Sequence, residues 1–268
     1  MSSIPRAIWI LFVTSFVRMG RSKRTLLLAL AALFPPAFAF LFRTFAPDQF
    51  GPHAIRILGW GALIQVVVPA TALIGGVAAL GDDIEDGTIA YLVTRPVPRA
   101  AIFLGRTLAC LVWVLLAIGS SAVALAFVSG VGITLGTALD GSRDTDLERA
   151  GGALLVAALA GGLTYTTLFA ALGAAVRRSM LIGVGYVFAI EVFLANLPGK
   201  TRSLTIQHHL REIVRALSPG RWGPPQRFVR VTEPDLSGSA VNLAIVTAIA
   251  LLLGCWIVSR RQYVRADT

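Results

Sequence analysis

Apolar residues run in long blocks broken by short polar clusters. A helix crossing a bilayer needs about 20 mostly apolar residues. Six blocks meet that need: about Thr25–Phe42, Ile57–Leu80, Thr107–Val128, Gly151–Val176, Met180–Leu197 and Ser239–Val258. Leu, Ala, Val and Gly dominate them, without the alternation of a membrane β-barrel. Backbone groups in lipid must bond within their own segment, so the blocks are expected to be helices. The third and fourth are long enough to tilt or protrude. The fourth and fifth are separated only by Arg177, Arg178 and Ser179. Adjacent arginines are costly near the bilayer centre, so this point is a tight helical hairpin. The pattern predicts an all-α integral membrane protein, a six-helix transmembrane bundle spanning residues 1–268 as one domain.

Two further segments are amphipathic. In Ile4–Arg24, residues Ile4, Ile8, Leu11, Phe12, Phe16 and Met19 fall near one face, and Trp9 and Arg18 suit the headgroup level. It reads as an N-terminal interfacial helix over residues 1–24. Ile10, Val13 and Val17 lie off the stripe, which leaves a buried helix open. The outer loop Pro198–Gly238 contains Ile206, Leu210, Ile213, Val214 and Leu217 at helical spacing. Ser203 is the expected cap and Pro219-Gly220 the stop. The other face carries His208, Arg211, Glu212 and Arg215. This outer amphipathic helix rests on the membrane or partly re-enters it, either as a plug or as a gate for cargo. Ala153, Ala157 and Gly161 recur every four residues, and Gly183 and Gly185 lie in the fifth block, a spacing that lets helices approach closely.

Composition agrees: 56% of residues are hydrophobic and 14% charged, against roughly 25% charged in an ordinary soluble domain. The stretch ending at Ala37-Phe38-Ala39 resembles a secretory signal, but it is long for one and reads as the first span. Basic residues set the expected orientation. Arg6, Arg18, Arg21, Lys23, Arg24, Arg95, Arg99, Arg106, Arg177, Arg178, Arg260, Arg261 and Arg265 fall on one side. Arg43, Arg56, Arg143 and Arg149 fall on the other, where Lys200, Arg202 and further arginines of the last loop dilute the contrast. Both termini are therefore expected in the cytoplasm, with the chain multi-pass in the inner membrane. The net charge of +10 fits arginines beside anionic lipid and needs no nucleic acid.

Catalytic motifs do not emerge. Cys110 and Cys255 lie inside spans without metal-ligand spacing, His208-His209 is an adjacent pair, and His53 is distant. Gly199-Lys200-Thr201 has Leu194 where a phosphate loop needs glycine. No catalytic, cofactor or metal site is expected. Glu191 is the unusual residue, about eleven residues into the fifth span and so roughly 16 Å deep at 1.5 Å per residue. A carboxylate at mid-membrane costs on the order of 2.5–3.5 kcal/mol on insertion scales. It needs a partner, for which Gln65, the Thr164–Thr167 cluster with Tyr165, and Asn196 are candidates. A packing bond and a role in the transport route or its gating are both open.

The densest polar cluster, Asp82–Arg99, joins the second and third spans. It holds Asp82, Asp83, Glu85 and Asp86, then Gly87, Thr88, Leu92, Arg95, Pro96, Pro98 and Arg99. Thr88 can cap a short helix to about Val93, with acidic groups near its positive end. Pro96 and Pro98 stiffen the return. Such a stiff polar element at a membrane boundary suits docking. Here the chain resembles the permeases of the ABC-2 transporter family. The resemblance rests on Glu85-Asp86-Gly87-Thr88, Leu92 and Pro96-Val97-Pro98-Arg99 after an acidic stretch. It extends to the six spans, the interfacial helix, the long loop before the last span, Glu191, and the tail Ser259-Arg260-Arg261-Gln262-Tyr263. The family's usual lysine at the start of the third span is Arg106 here.

The resemblance implies a permease subunit, not itself an enzyme, of an ATP-driven exporter. Asp82–Arg99 would be the cytoplasmic coupling helix and its flanks, seated on a separate ABC ATPase subunit that binds ATP and Mg. A second permease, identical or related, would complete the pair in the lipid bilayer. The scarcity of polar groups favours hydrophobic or amphiphilic cargo. An ion-gradient-driven carrier or channel, or a non-transporting scaffold or assembly factor, are the rival readings.

Overall fold

The computed structural model describes residues 4–45, 55–85, 98–131, 145–194, 205–218 and 235–260. Every element among them is helical. Helix α1 spans Ile4–Gly20 and α2 spans Lys23–Phe45. A wide π-helical stretch, Ile55–Val67, continues into α3, Val68–Ala78. The short α4, Gly81–Glu85, follows. Helix α5, Arg99–Ala126, runs on into a π-helical end, Phe127–Val131, and α6 covers Thr145–Ala175. Helix α7, Ser179–Tyr186, continues into the π-helical stretch Val187–Leu194. Helix α8 is Ile206–Leu217 and α9 is Leu236–Arg260.

Among the described residues, five helices are long and apolar enough to cross a membrane, and the segment starting at Ser179 is a shorter apolar helix. Helix α2, helix α5 with its π-helical end, and helix α9 overrun their apolar blocks at both ends. Helix α5 starts eight residues ahead of the expected span because Arg106 is buried inside the fold instead of marking its edge. The break at Arg177-Arg178 is present between α6 and α7.

Helix α6 is the central pillar, packed on α3, α5, α8 and α9. Two glycines set its close contacts. A Cβ on Gly76 of α3 would lie 2.7 Å from the Thr166 carbonyl oxygen of α6, so the backbones meet almost directly. A Cβ on Gly161 would meet Leu210 of α8 at 2.8 Å and Val68 at 3.1 Å. Small residues at crossings are how membrane helices gain contact where lipid competes equally for apolar surface. Ala153 and Ala157 of the four-residue repeat are buried along the same helix. Gly183 meets Leu73, whereas Gly185 faces open space.

Helix α1 docks its predicted stripe on α5. Leu11, the Ile8 carbonyl and Phe12 closely face Gly105, and Phe16 stacks on Trp113 at 5.0 Å. Trp113 donates its indole N–H to the Phe16 carbonyl at 3.0 Å. Trp9, Ile10, Val13 and Val17 stay exposed on the opposite side. Apolar surface on both faces of α1 is what a helix between protein and lipid requires. Prolines Pro35 and Pro36 are buried within a continuous α2. Pro69 sits where the wide stretch gives way to α3, a change of bonding pattern that accommodates its missing N–H.

Candidate functional site

Glu191 lies in the π-helical stretch after α7 and is 2% exposed. Its Oε1 accepts from the Tyr186 hydroxyl at 3.2 Å and from the Ile206 N–H at 3.3 Å. Its Oε2 accepts from the Gln207 N–H at 3.1 Å. Ile206 and Gln207 are the first two residues of α8. The carboxylate therefore sits on the positive end of that helix and satisfies two of its unpaired N–H groups. Thr205 caps the next, accepting from the His208 N–H at 3.3 Å. Thr205 takes the role expected of Ser203, which lies outside the described residues.

The wide winding makes the Tyr186 contact possible. Residues five apart differ by about 140° on an α-helix, whereas i→i+5 winding brings them to one face. Tyr165 of α6 is fully buried beside the same carboxylate. Its hydroxyl has no partner of normal hydrogen-bond geometry among the described residues. Tyr165 stacks on Phe169, and Phe169 meets Tyr186 edge-on, each pair at 6.0 Å between ring centres. The Gln207 amide donates to the Ile64 carbonyl at 3.1 Å. The start of α8 is thus held from three sides.

Helix α8 lies inside the bundle. Ile206, Gln207, His209, Leu210, Ile213 and Val214 are buried against α6 and α9. Its polar face is only partly exposed: Arg211 lies over the Trp60 ring at 5.1 Å, and Arg215 bonds Glu212 at 2.9 Å. His209 faces the Ser239 hydroxyl at 3.4 Å. Among the candidate partners of Glu191, Tyr165 is a neighbour. Gln65 is half-buried and outside the set bonded to the carboxylate. Asn196 lies outside the described residues. Tyr186 and Gln207 were not foreseen. The signal available for Gln207 is that a buried acid requires donors, and a helix starting shortly after a span supplies them.

A second cluster stands where the Asp82–Arg99 segment begins. Asp83 of α4 is buried and forms an ion pair with Arg106 of α5, itself 7% exposed. Arg18, exposed near the end of α1, lies 3.6 Å from the same carboxylate. Asp83 therefore points inward and binds three helices together. Asp82 and Glu85 belong to α4, with side chains outside the described set. Asp86, Gly87, Thr88, Leu92, Arg95 and Pro96 lie outside the described residues, as does the expected helix from Thr88. Arg99 opens α5, half-buried. No group of three metal-ligating side chains occurs among the described residues.

The sequence profile of ABC-2 family transporter proteins matches residues 7–261. The chain belongs to that family. It is an integral membrane permease of the ABC transporter type, and membership implies an ABC ATPase subunit as its partner. No curated protein matches the chain significantly. In this permease the family assignment covers both clusters, the Glu191 site and the Asp83 site.

Proposed function

We propose that this chain is the membrane subunit of an ATP-driven exporter that works as a pair of permeases with two ATPase subunits. The ATPase docks on the Asp82–Arg99 segment and supplies ATP and Mg. Residues Asp82, Glu85, Asp86, Gly87, Thr88, Leu92, Arg95, Pro96 and Arg99 form or frame the docking element. Asp83 anchors it to the bundle. Glu191 grips the start of α8 and serves as the latch of a gate, with Tyr165 and Tyr186 beside it.

The observation that carries this reading is the bonding of a buried carboxylate to the N-terminus of a helix held within the bundle. A charge spent on one end of a short internal helix gives that helix a defined seat. ATPase closure moves α4 and α5, the elements joined at Asp83, and α6 carries the displacement to α8. Hydrophobic or amphiphilic cargo fits the apolar interior.

The test is reconstitution with an ABC ATPase subunit that co-purifies with this chain. Reversing charge at Glu85→Lys and Asp86→Lys is expected to weaken ATPase co-purification by at least about tenfold and to abolish transport while the permease stays folded. Unchanged binding and transport would refute the coupling role. Glu191→Gln is expected to retain ATPase binding and lose transport.

A further inference from the structure

Near Asp83, the space between α1, α2, α4 and α5 is a cavity of about 220 Å³. Its described polar lining includes Ser15, Arg18, Arg24 and Arg106, with Asp83 as the acidic group. Three guanidinium groups stand against one described carboxylate. Directly beyond it, α2 and α5 diverge into an open apolar groove of about 510 Å³. Leu28, Ala32, Pro36, Trp113 and Ala117 line this groove. The two spaces share both walls. Arg24 precedes Leu28 by one turn on α2, and Cys110 of the cavity precedes Trp113 by one turn on α5.

We infer that this pair of spaces is a binding site for one anionic phospholipid, its phosphate in the arginine cavity and an acyl chain in the α2–α5 groove. Basic pockets between membrane helices hold anionic headgroups by charge, and the groove adds contact that a free anion cannot use. The exposed apolar face of α1, with Trp9, Ile10, Val13 and Val17, places that helix at the same lipid boundary. Arg18 contributes most freely, being largely exposed and only 3.6 Å from the Asp83 carboxylate. The bound lipid would tie α1 and α2 to α5 on the side where the docking segment leaves the bundle.

Delipidated full-length permease is incubated with phosphatidylglycerol, phosphatidylcholine or inorganic phosphate, and retained ligand is read by native mass spectrometry. Phosphatidylglycerol is expected to be retained in preference to phosphatidylcholine, and inorganic phosphate is expected not to be retained. Each arginine near an anionic lipid is worth about fivefold, so Arg18→Ala with Arg24→Ala should reduce that preference by up to about thirtyfold. Arg18→Ala alone is the milder variant, since Arg18 is exposed. Ala29→Trp, filling the groove from an exposed position, is expected to lower retention of both lipids. Equal retention of the two lipids overturns the inference. So does a preference that survives both arginine changes in protein with unchanged melting, or capture of phosphate alone. Lipid retention unaltered by Ala29→Trp, with loss of a permease dimer, would assign the groove to a second copy instead.

Discussion

Glu191 and Asp83 show how a single buried charge is made tolerable in an apolar chain, and each uses a different device. Glu191 takes backbone donors at a helix start together with the Tyr186 hydroxyl. Asp83 takes the buried guanidinium of Arg106. Leaving a buried donor unsatisfied costs roughly 1–3 kcal/mol. Glu191→Ala orphans two N–H groups of α8 and should lower stability by about 2–5 kcal/mol. Glu191→Gln keeps one acceptor and should lose less. Thermal unfolding in nanodiscs separates the two, and equal melting of both variants and the parent would rule out the anchoring role. Asp83→Ala leaves Arg106 buried and unpaired, at about 3–5 kcal/mol. The double change Asp83→Leu with Arg106→Met should restore most of that stability, because replacing both charges removes the unpaired one. A double variant as unstable as the single one would refute the pairing. Sequence identified Glu191 as a residue needing partners, since a lone acid in an apolar run is conspicuous. It could not name Tyr186 or the α8 backbone. Tyr186 aligns only through the wide winding, and every helix carries backbone donors that leave no mark in side-chain spacing.

Among elements, α8 was legible in position and amphipathic character but not in depth. The stripe Ile206, Leu210, Ile213, Val214 predicts a buried face whether that face meets lipid or protein. The deciding contact is Gly161 of α6, whose missing side chain admits Leu210. Gly161→Val would overfill that crossing and should cost about 1–3 kcal/mol. It should also raise hydrogen exchange along α8 more than along α2. Uniform exchange across both helices would contradict α6 as the seat of α8. At the start of α9, Asp235 accepts the Gly238 N–H at 2.8 Å and the Ser237 hydroxyl at 2.9 Å. These bonds, the Gly238 backbone first, hold its carboxyl below the ordinary 3.8. The cap is therefore fully present above 3.8 and is lost as pH falls through the lower folded value. Gly238 amide protection, followed by exchange from pH 6 downward, should decline only below about 3.8. A decline already complete at pH 5 would exclude this cap.

For the molecule as a whole, the distribution of exposed apolar residues distinguishes lipid-facing from core-facing surface. Leu26, Leu30, Phe34 and Phe38 of α2, and Ile245, Ile249, Leu252 and Trp256 of α9, are exposed along their helices. Helix α6 is instead largely enclosed, and its crossings depend on small residues. A pair of permeases moved by two ATPases would transmit force through the α4–α5 junction. Charge reversal at Glu85 and Asp86 should weaken ATPase co-purification by at least about tenfold, since like-charge contact costs several kcal/mol. Measuring the bound ATPase per permease checks this, and an unchanged ratio would remove the docking segment from the interface. The chain's own pattern determined helices and membrane residence, because the cost of exposing backbone in lipid leaves long apolar runs few alternatives; the family came from the resemblance of the Asp82–Arg99 segment and the profile match. Tertiary structure alone decided that Asp83 turns inward, that α8 is enclosed, and that Glu191 holds its start. Those outcomes depend on which surfaces meet across distant segments, and residue spacing within one helix carries no information about the neighbour it will find.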